Sequence, residues 1–132
     1  MIIKPLLVLK KQLFLISVLY TLTLTFVCLM KLKELPDVGI SNADKVFHSI
    51  TYLILALLWY GSFIVKFKIP NVKALIYSAL FSTIFGIIIE VLQGMVTVTR
   101  KPDLEDVIAN STGVLLAVLV ALVYNRTQIK KL

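Results

Sequence analysis

The chain has 132 residues, 59% of them hydrophobic and only 16% charged, with a mean hydropathy of +0.96. A soluble domain of this length needs more polar surface than that, so the composition excludes an ordinary soluble enzyme and points to lipid as the solvent. The net charge of +7 does not indicate nucleic acid, because the basic residues are segregated into particular loops.

A membrane-spanning helix needs ~20 mostly apolar residues. Four stretches qualify: 12–31, 47–65, 74–93 and 107–124. In lipid the backbone groups must bond within each segment, so the spans are helices. None alternates in the manner of a barrel strand. The expected architecture is an all-α membrane protein, a four-transmembrane-helix bundle forming one domain over residues 1–132.

Residues 1–11 carry Lys4, Lys10 and Lys11 and form a basic tail at the membrane surface. The first apolar run is too long for a typical signal-peptide core, and no small-x-small cleavage site follows it, so it reads as a retained first span. Its sequence, "QLFLISVLYTLTLTFVCLM", offers Ser and Thr hydroxyls that bond back to the helix or across to a neighbour. Cys28 is the only cysteine, which rules out an intramolecular disulfide or a cysteine metal site and leaves a packing role.

The loop "KLKELPDVGISNAD" is punctuated by Pro36 and Gly39, and Ser41 or Asn42 is placed to cap the second span. Trp59 and Tyr60 fall near the far end of that span, where interfacial aromatics are common. The next loop, "KFKIPNVK", is short, which makes spans two and three antiparallel neighbours. Pro70 blocks helix continuation, and Asn71 is a candidate cap for span three. In that span Ser78, Ser82 and Gly86 recur every four residues and favour close packing on one face. Span four opens with small and polar residues, Ala109 to Gly113, and its second half reads as ordinary lipid-compatible sequence.

The charges supply the topology. Lys4, Lys10 and Lys11 precede span one; Lys66, Lys68 and Lys73 lie between spans two and three; Arg126, Lys130 and Lys131 follow span four. Those regions hold no acid, and all seven acids lie in, or within a turn of, the other two loops. Lysine and arginine excess marks the cytoplasmic side. The expectation is therefore a multi-pass protein of the cytoplasmic membrane with both termini inside, its basic rim drawn to anionic lipid.

Three polar faces fall at the opposite end. Asp44, His48 and Tyr52 share one helical face, as do Glu90 and Gln93, and as do Asp103, Asp106, Asn110 and Gly113. Arg100 sits in the loop joining the last two sets. Polar faces at one depth of a small bundle avoid lipid by facing each other. Each residue also has a plainer reading: Asp44 as a helix-start acid, His48 as an interfacial histidine, Gln93 as a membrane-edge marker, and Asp103 with Asp106 as a cap and its N3 acid. Glu90 resists that treatment, since a charge in a span costs up to ~2.5–3.5 kcal/mol on insertion scales and calls for a partner among Lys45, His48 and Arg100.

The ordered pattern D-K-x-x-H-x-x-x-Y (Asp44, Lys45, His48, Tyr52), E-x-x-Q (Glu90, Gln93) and R-x-x-D-x-x-D-x-x-x-N-x-x-G (Arg100, Asp103, Asp106, Asn110, Gly113) resembles the VanZ-like family of small bacterial membrane proteins. It covers residues 44–113. The resemblance implies this fold and this site, and links the chain to resistance against the glycopeptide teicoplanin.

Three function classes stay open. In an enzyme, His48, Glu90 and Asp106 are the catalytic candidates, His48 because histidine titrates near neutrality. Asp44, Lys45, Tyr52, Gln93, Arg100, Asp103 and Asn110 then bind substrate, with Lys45 and Arg100 gripping phosphate or carboxylate. The partner is a membrane lipid or a lipid-linked envelope precursor. A divalent metal on His48 and the carboxylates is a weaker version, because one histidine matches no standard zinc signature. The second class is a module that binds or shields an envelope precursor without chemistry, or a purely structural polar network. The third is a proton-coupled transporter, against which stands the lack of ionisable groups in the cytoplasmic halves of the spans.

Overall fold

The computed structural model describes residues 3–29, 43–96 and 104–130. They form four helices: α1 (Ile3–Leu29), α2 (Ala43–Val65), α3 (Asn71–Val96) and α4 (Leu104–Lys130). Each contains a stretch long and apolar enough to cross a membrane: Lys11–Leu29, Lys45–Val65, Asn71–Met95 and Leu104–Thr127. The second, third and fourth expected spans fall inside their helices, and the described part of α1 ends at Leu29. Leu15, Leu19, Ile76, Leu80, Leu115 and Leu119 are all about half exposed. Apolar surface on that scale around every helix suits lipid and would aggregate in water.

Hydrocarbon supplies no hydrophobic drive between helices, so their association depends on close packing and hydrogen bonds. The sequence provides both. On α3, Ala74, Ser78, Ser82, Gly86 and Glu90 recur every four residues, and all are buried. On α4, Ala109, Gly113, Ala117 and Ala121 form a second small-residue stripe, also buried. On one side the second half of α4 is therefore a helix interface, and Ala117 and Ala121 carry the spacing that marks it. A β-carbon placed on Gly113 would stand 2.1 Å from the Ser49 carbonyl oxygen, so α2 and α4 touch backbone to backbone. Ser49 Oγ adds a hydrogen bond to the Ala109 carbonyl, 2.9 Å.

Helix α1 docks on α2 through polar contacts in its middle, from Ser17 to Thr21. Ser17 Oγ donates to the Leu58 carbonyl (3.1 Å) and lies 2.7 Å from Ser62 Oγ. Tyr20 donates to the Thr51 carbonyl (2.7 Å), and the Trp59 indole N–H donates to Thr21 Oγ1 (2.8 Å). Trp59 thus turns toward α1 and α3, packing on Phe81 at 4.9 Å between ring centroids. The Lys66 ammonium sits 4.0 Å over the Phe14 ring, a cation–π contact.

The α2–α3 turn is tight. Lys68 adopts the left-handed conformation (φ 54°), and the Ile69 N–H returns to the Phe63 carbonyl (3.0 Å), closing the end of α2. The Pro70 carbonyl then accepts the first helical bond of α3 from Ala74 N–H (2.8 Å). Asn71 is not the cap the sequence suggests. Its side-chain oxygen accepts from the buried Tyr60 hydroxyl, and its amide reaches Asn125 Oδ1 at 3.4 Å. This neutral network ties α2, α3 and α4 together at the basic end.

Candidate functional site

Antiparallel packing brings the start of α2, the end of α3 and the start of α4 to one end of the bundle. Asp106 lies in the first turn of α4, where the helix N-terminus favours a carboxylate. It is 1% exposed. The Lys45 ammonium, on the first turns of α2, donates directly to Asp106 Oδ1. Lys45 also lies 3.9 Å from Glu105, and its side chain is 27% exposed against 79% for that glutamate. Asp106 therefore couples a partly wet cation to a dry interior.

His48 stands one turn below Lys45 on α2 and is buried. Its Nε2 is 3.8 Å from Asp106 Oδ1, and its Nδ1 is 3.1 Å from Asn110 Oδ1. A carboxamide oxygen can only accept, so Nδ1–H is the donor in that bond. This leaves the other ring nitrogen, Nε2, on the Asp106 side. Lys45, Asp106, His48 and Asn110 thus make a continuous polar chain across the α2–α4 interface, next to the contact of Gly113 with Ser49.

Helix α3 contributes Glu90 and Gln93, both buried. Gln93 Nε2 donates to the Cys28 carbonyl (2.8 Å), which anchors the end of α1 beneath the site. Tyr52, a turn below His48, is 1% exposed. Gly86 makes the crowding possible: a β-carbon there would come within 3.0 Å of Tyr52 Cε1 and 3.2 Å of Asn110 Nδ2.

The structure therefore brings together Lys45, His48, Tyr52, Glu90, Gln93, Asp106 and Asn110 from the sequence constellation. Asp44 falls in the first turn of α2 with its side chain outside the described residues, and Arg100 and Asp103 lie outside them altogether. Ser49 and Gly86 belong to the same layer and were not singled out as site residues from sequence. Ser49 follows His48 directly but lies on the adjoining face, so helical spacing gives no reason to group it with the site. Gly86 shows its role only once Tyr52 and Asn110 converge on it. Among the described residues no group of three His, Cys, Asp or Glu side chains is arranged to hold a metal ion. The chemistry this arrangement offers is proton exchange at His48, oriented from both sides, beside a cation held on a carboxylate.

A family model described as VanZ/LLP1 matches residues 6–125. No curated protein and no solved structure matches the chain.

Proposed function

Since the chain belongs to the VanZ/LLP1 family, we propose that its buried polar cluster is an outward-facing site that takes a lipid-linked cell-envelope substrate in the bacterial cytoplasmic membrane. The observation that carries this reading is the chain Lys45–Asp106–His48–Asn110. Burying so many polar groups at one end of a small membrane bundle is costly unless they serve a purpose there. His48 acts as the acid or base through Nε2, with Asn110 fixing the ring and Asp106 balancing the charge that forms on it. Glu90 faces the same space from α3. The exposed part of Lys45 meets the substrate's polar head.

A transport path is the weaker reading. Between this cluster and the Tyr60–Asn71–Asn125 network, the buried residues include Leu55, Ala56, Val114 and Ala117 and the hydroxyls of Ser78 and Ser82, but no buried Asp, Glu, His or Lys among the described residues.

The test is His48→Ala and Glu90→Gln beside the parent in cells, scoring membrane abundance by blot together with teicoplanin susceptibility. Retained abundance with loss of a protective phenotype supports a functional site. A graded loss for Glu90→Gln, with no turnover at any protein concentration, indicates binding or shielding without chemistry. Collapse of abundance in both variants means the cluster is a structural lock.

A further inference from the structure

Three neighbouring helices repeat one arrangement at the basic end of the bundle. On α1, Lys11 precedes Phe14 by three residues, and on α3, Lys73 precedes Tyr77 by four. At the end of α2, which runs the opposite way, Phe63 precedes Lys66 by three. Helical bonding continues through Lys66, whose N–H reaches the Ser62 carbonyl (2.9 Å). Each spacing puts the pair on one helical face, and in each pair the lysine lies about one turn nearer the membrane surface than its ring. The rings meet across the helices. Phe14 packs edge-on against Phe67 at 5.5 Å between centroids, Phe67 lies 6.1 Å from Phe63, and Phe63 meets Tyr77 edge-on at 6.4 Å. Lys66 stands 4.0 Å over Phe14, which ties the cation of one helix to the ring of the next. The result is a continuous apron of rings over α1, α2 and α3, with three lysines along its outer edge.

This apron is open to its surroundings. Phe67 is 48% and Tyr77 46% exposed, and Lys11, Lys66 and Lys73 are exposed as well. No acidic side chain lies at this end of the chain, so among the described residues these lysines have no carboxylate to pair with. Lys45, at the other end, pairs with Asp106. Charge segregation accounts for lysines at this rim, but it does not place a ring beneath each of them. Helix α4 lacks the pattern: Tyr124 and Arg126 are two residues apart, off a common face.

An anionic phospholipid matches both parts. Its phosphate calls for cations at the membrane surface, and its acyl chains call for an apolar wall directly below. A zwitterionic phospholipid brings its own cation, which the lysines repel. We propose that the apron of rings from Phe14 to Tyr77, with Lys11, Lys66 and Lys73 at its edge, binds an anionic phospholipid of the leaflet at the basic end. This surface is separate from the polar cluster and does not depend on the function proposed for it.

The experiment titrates the purified full-length protein in detergent with phosphatidylglycerol or phosphatidylcholine of the same acyl chains, and reads the first bound lipid by native mass spectrometry. The parent should prefer phosphatidylglycerol by roughly tenfold to a hundredfold. Lys66→Gln and Lys73→Gln should each weaken phosphatidylglycerol by roughly fivefold and leave phosphatidylcholine unchanged. Both alter exposed side chains and should melt with the parent in lipid-free detergent. Arg126→Gln removes a cation at the same end but away from the rings, and should change neither lipid. Tyr77→Ala should weaken both lipids alike, because it removes apolar wall and no charge. Equal affinity of the parent for the two lipids overturns the inference. So does an equal loss from Arg126→Gln and Lys73→Gln, which would mean that the basic rim acts only as diffuse charge.

Discussion

Gly113 on α4 and Ser49 on α2 meet backbone to backbone, at a spacing that would leave an added β-carbon 2.1 Å from the Ser49 oxygen and 3.1 Å from the Leu53 nitrogen. This contact sets the distance between the two helices that carry Lys45, His48, Asp106 and Asn110. The polar chain therefore depends on a residue that contributes no side chain to it.

Gly113→Ala should force α2 and α4 apart, since backbone cannot yield as a side chain can. We expect a destabilisation of at least the ~1–3 kcal/mol of an overpacked core, read as a lower melting temperature in detergent. Gly86→Ala meets only the side chains of Tyr52 and Asn110, at 3.0 and 3.2 Å. It should melt closer to the parent yet impair function by displacing the site. Equal melting of the two variants would contradict the backbone contact.

The Lys45–Asp106 pair predicts unequal costs for its two halves. Lys45→Met takes the ammonium away from a carboxylate that is 1% exposed, whereas Asp106→Asn leaves an ammonium on a side chain that is 27% exposed and still 3.9 Å from Glu105. The first should approach the ~3–5 kcal/mol of a broken buried pair and the second should fall below it. The double variant should recover part of the loss, because both charges leave together. Additive single effects in a double-mutant cycle would show that the pair is not coupled.

Cys28 makes a natural reporter of α1 docking. Its side chain is buried and its carbonyl receives Gln93. A membrane-permeant maleimide should label the native protein slowly. Gln93→Ala, or Ser17→Leu at the Ser62 contact, should speed labelling several-fold. Fast labelling of the parent would mean that α1 is not held as described.

Membrane orientation is testable by reporters. The lysines and arginines of the α2–α3 turn and of the α4 end should lie in the cytoplasm. A fluorescent protein fused after Leu132 should then fluoresce, and an alkaline phosphatase fused there should stay inactive. The opposite result would place the polar cluster on the cytoplasmic side and remove the envelope reading.

The four helices were legible because period, length and hydropathy act locally. An apolar run of about twenty residues has one stable form in lipid, whatever it packs against. The shared faces were legible for the same reason: His48 with Tyr52, and Asp106 with Asn110, follow from helical spacing alone. Pairing is a different kind of information. Spacing left Glu90 with three candidate partners and left Asp106 as either a helix-start acid or a catalytic candidate. Only the antiparallel packing of α2 on α4, at the distance Gly113 allows, placed Lys45 and His48 on Asp106 and Asn110 on His48. Tyr60 and Asn71 read from sequence as an interfacial aromatic and a cap, and the tertiary structure joined them with Asn125 into one network. A hydrogen bond between helices depends on the positions of two backbones, and no single segment contains both. The sequence determined which residues had to avoid lipid; the packing decided which of them meet.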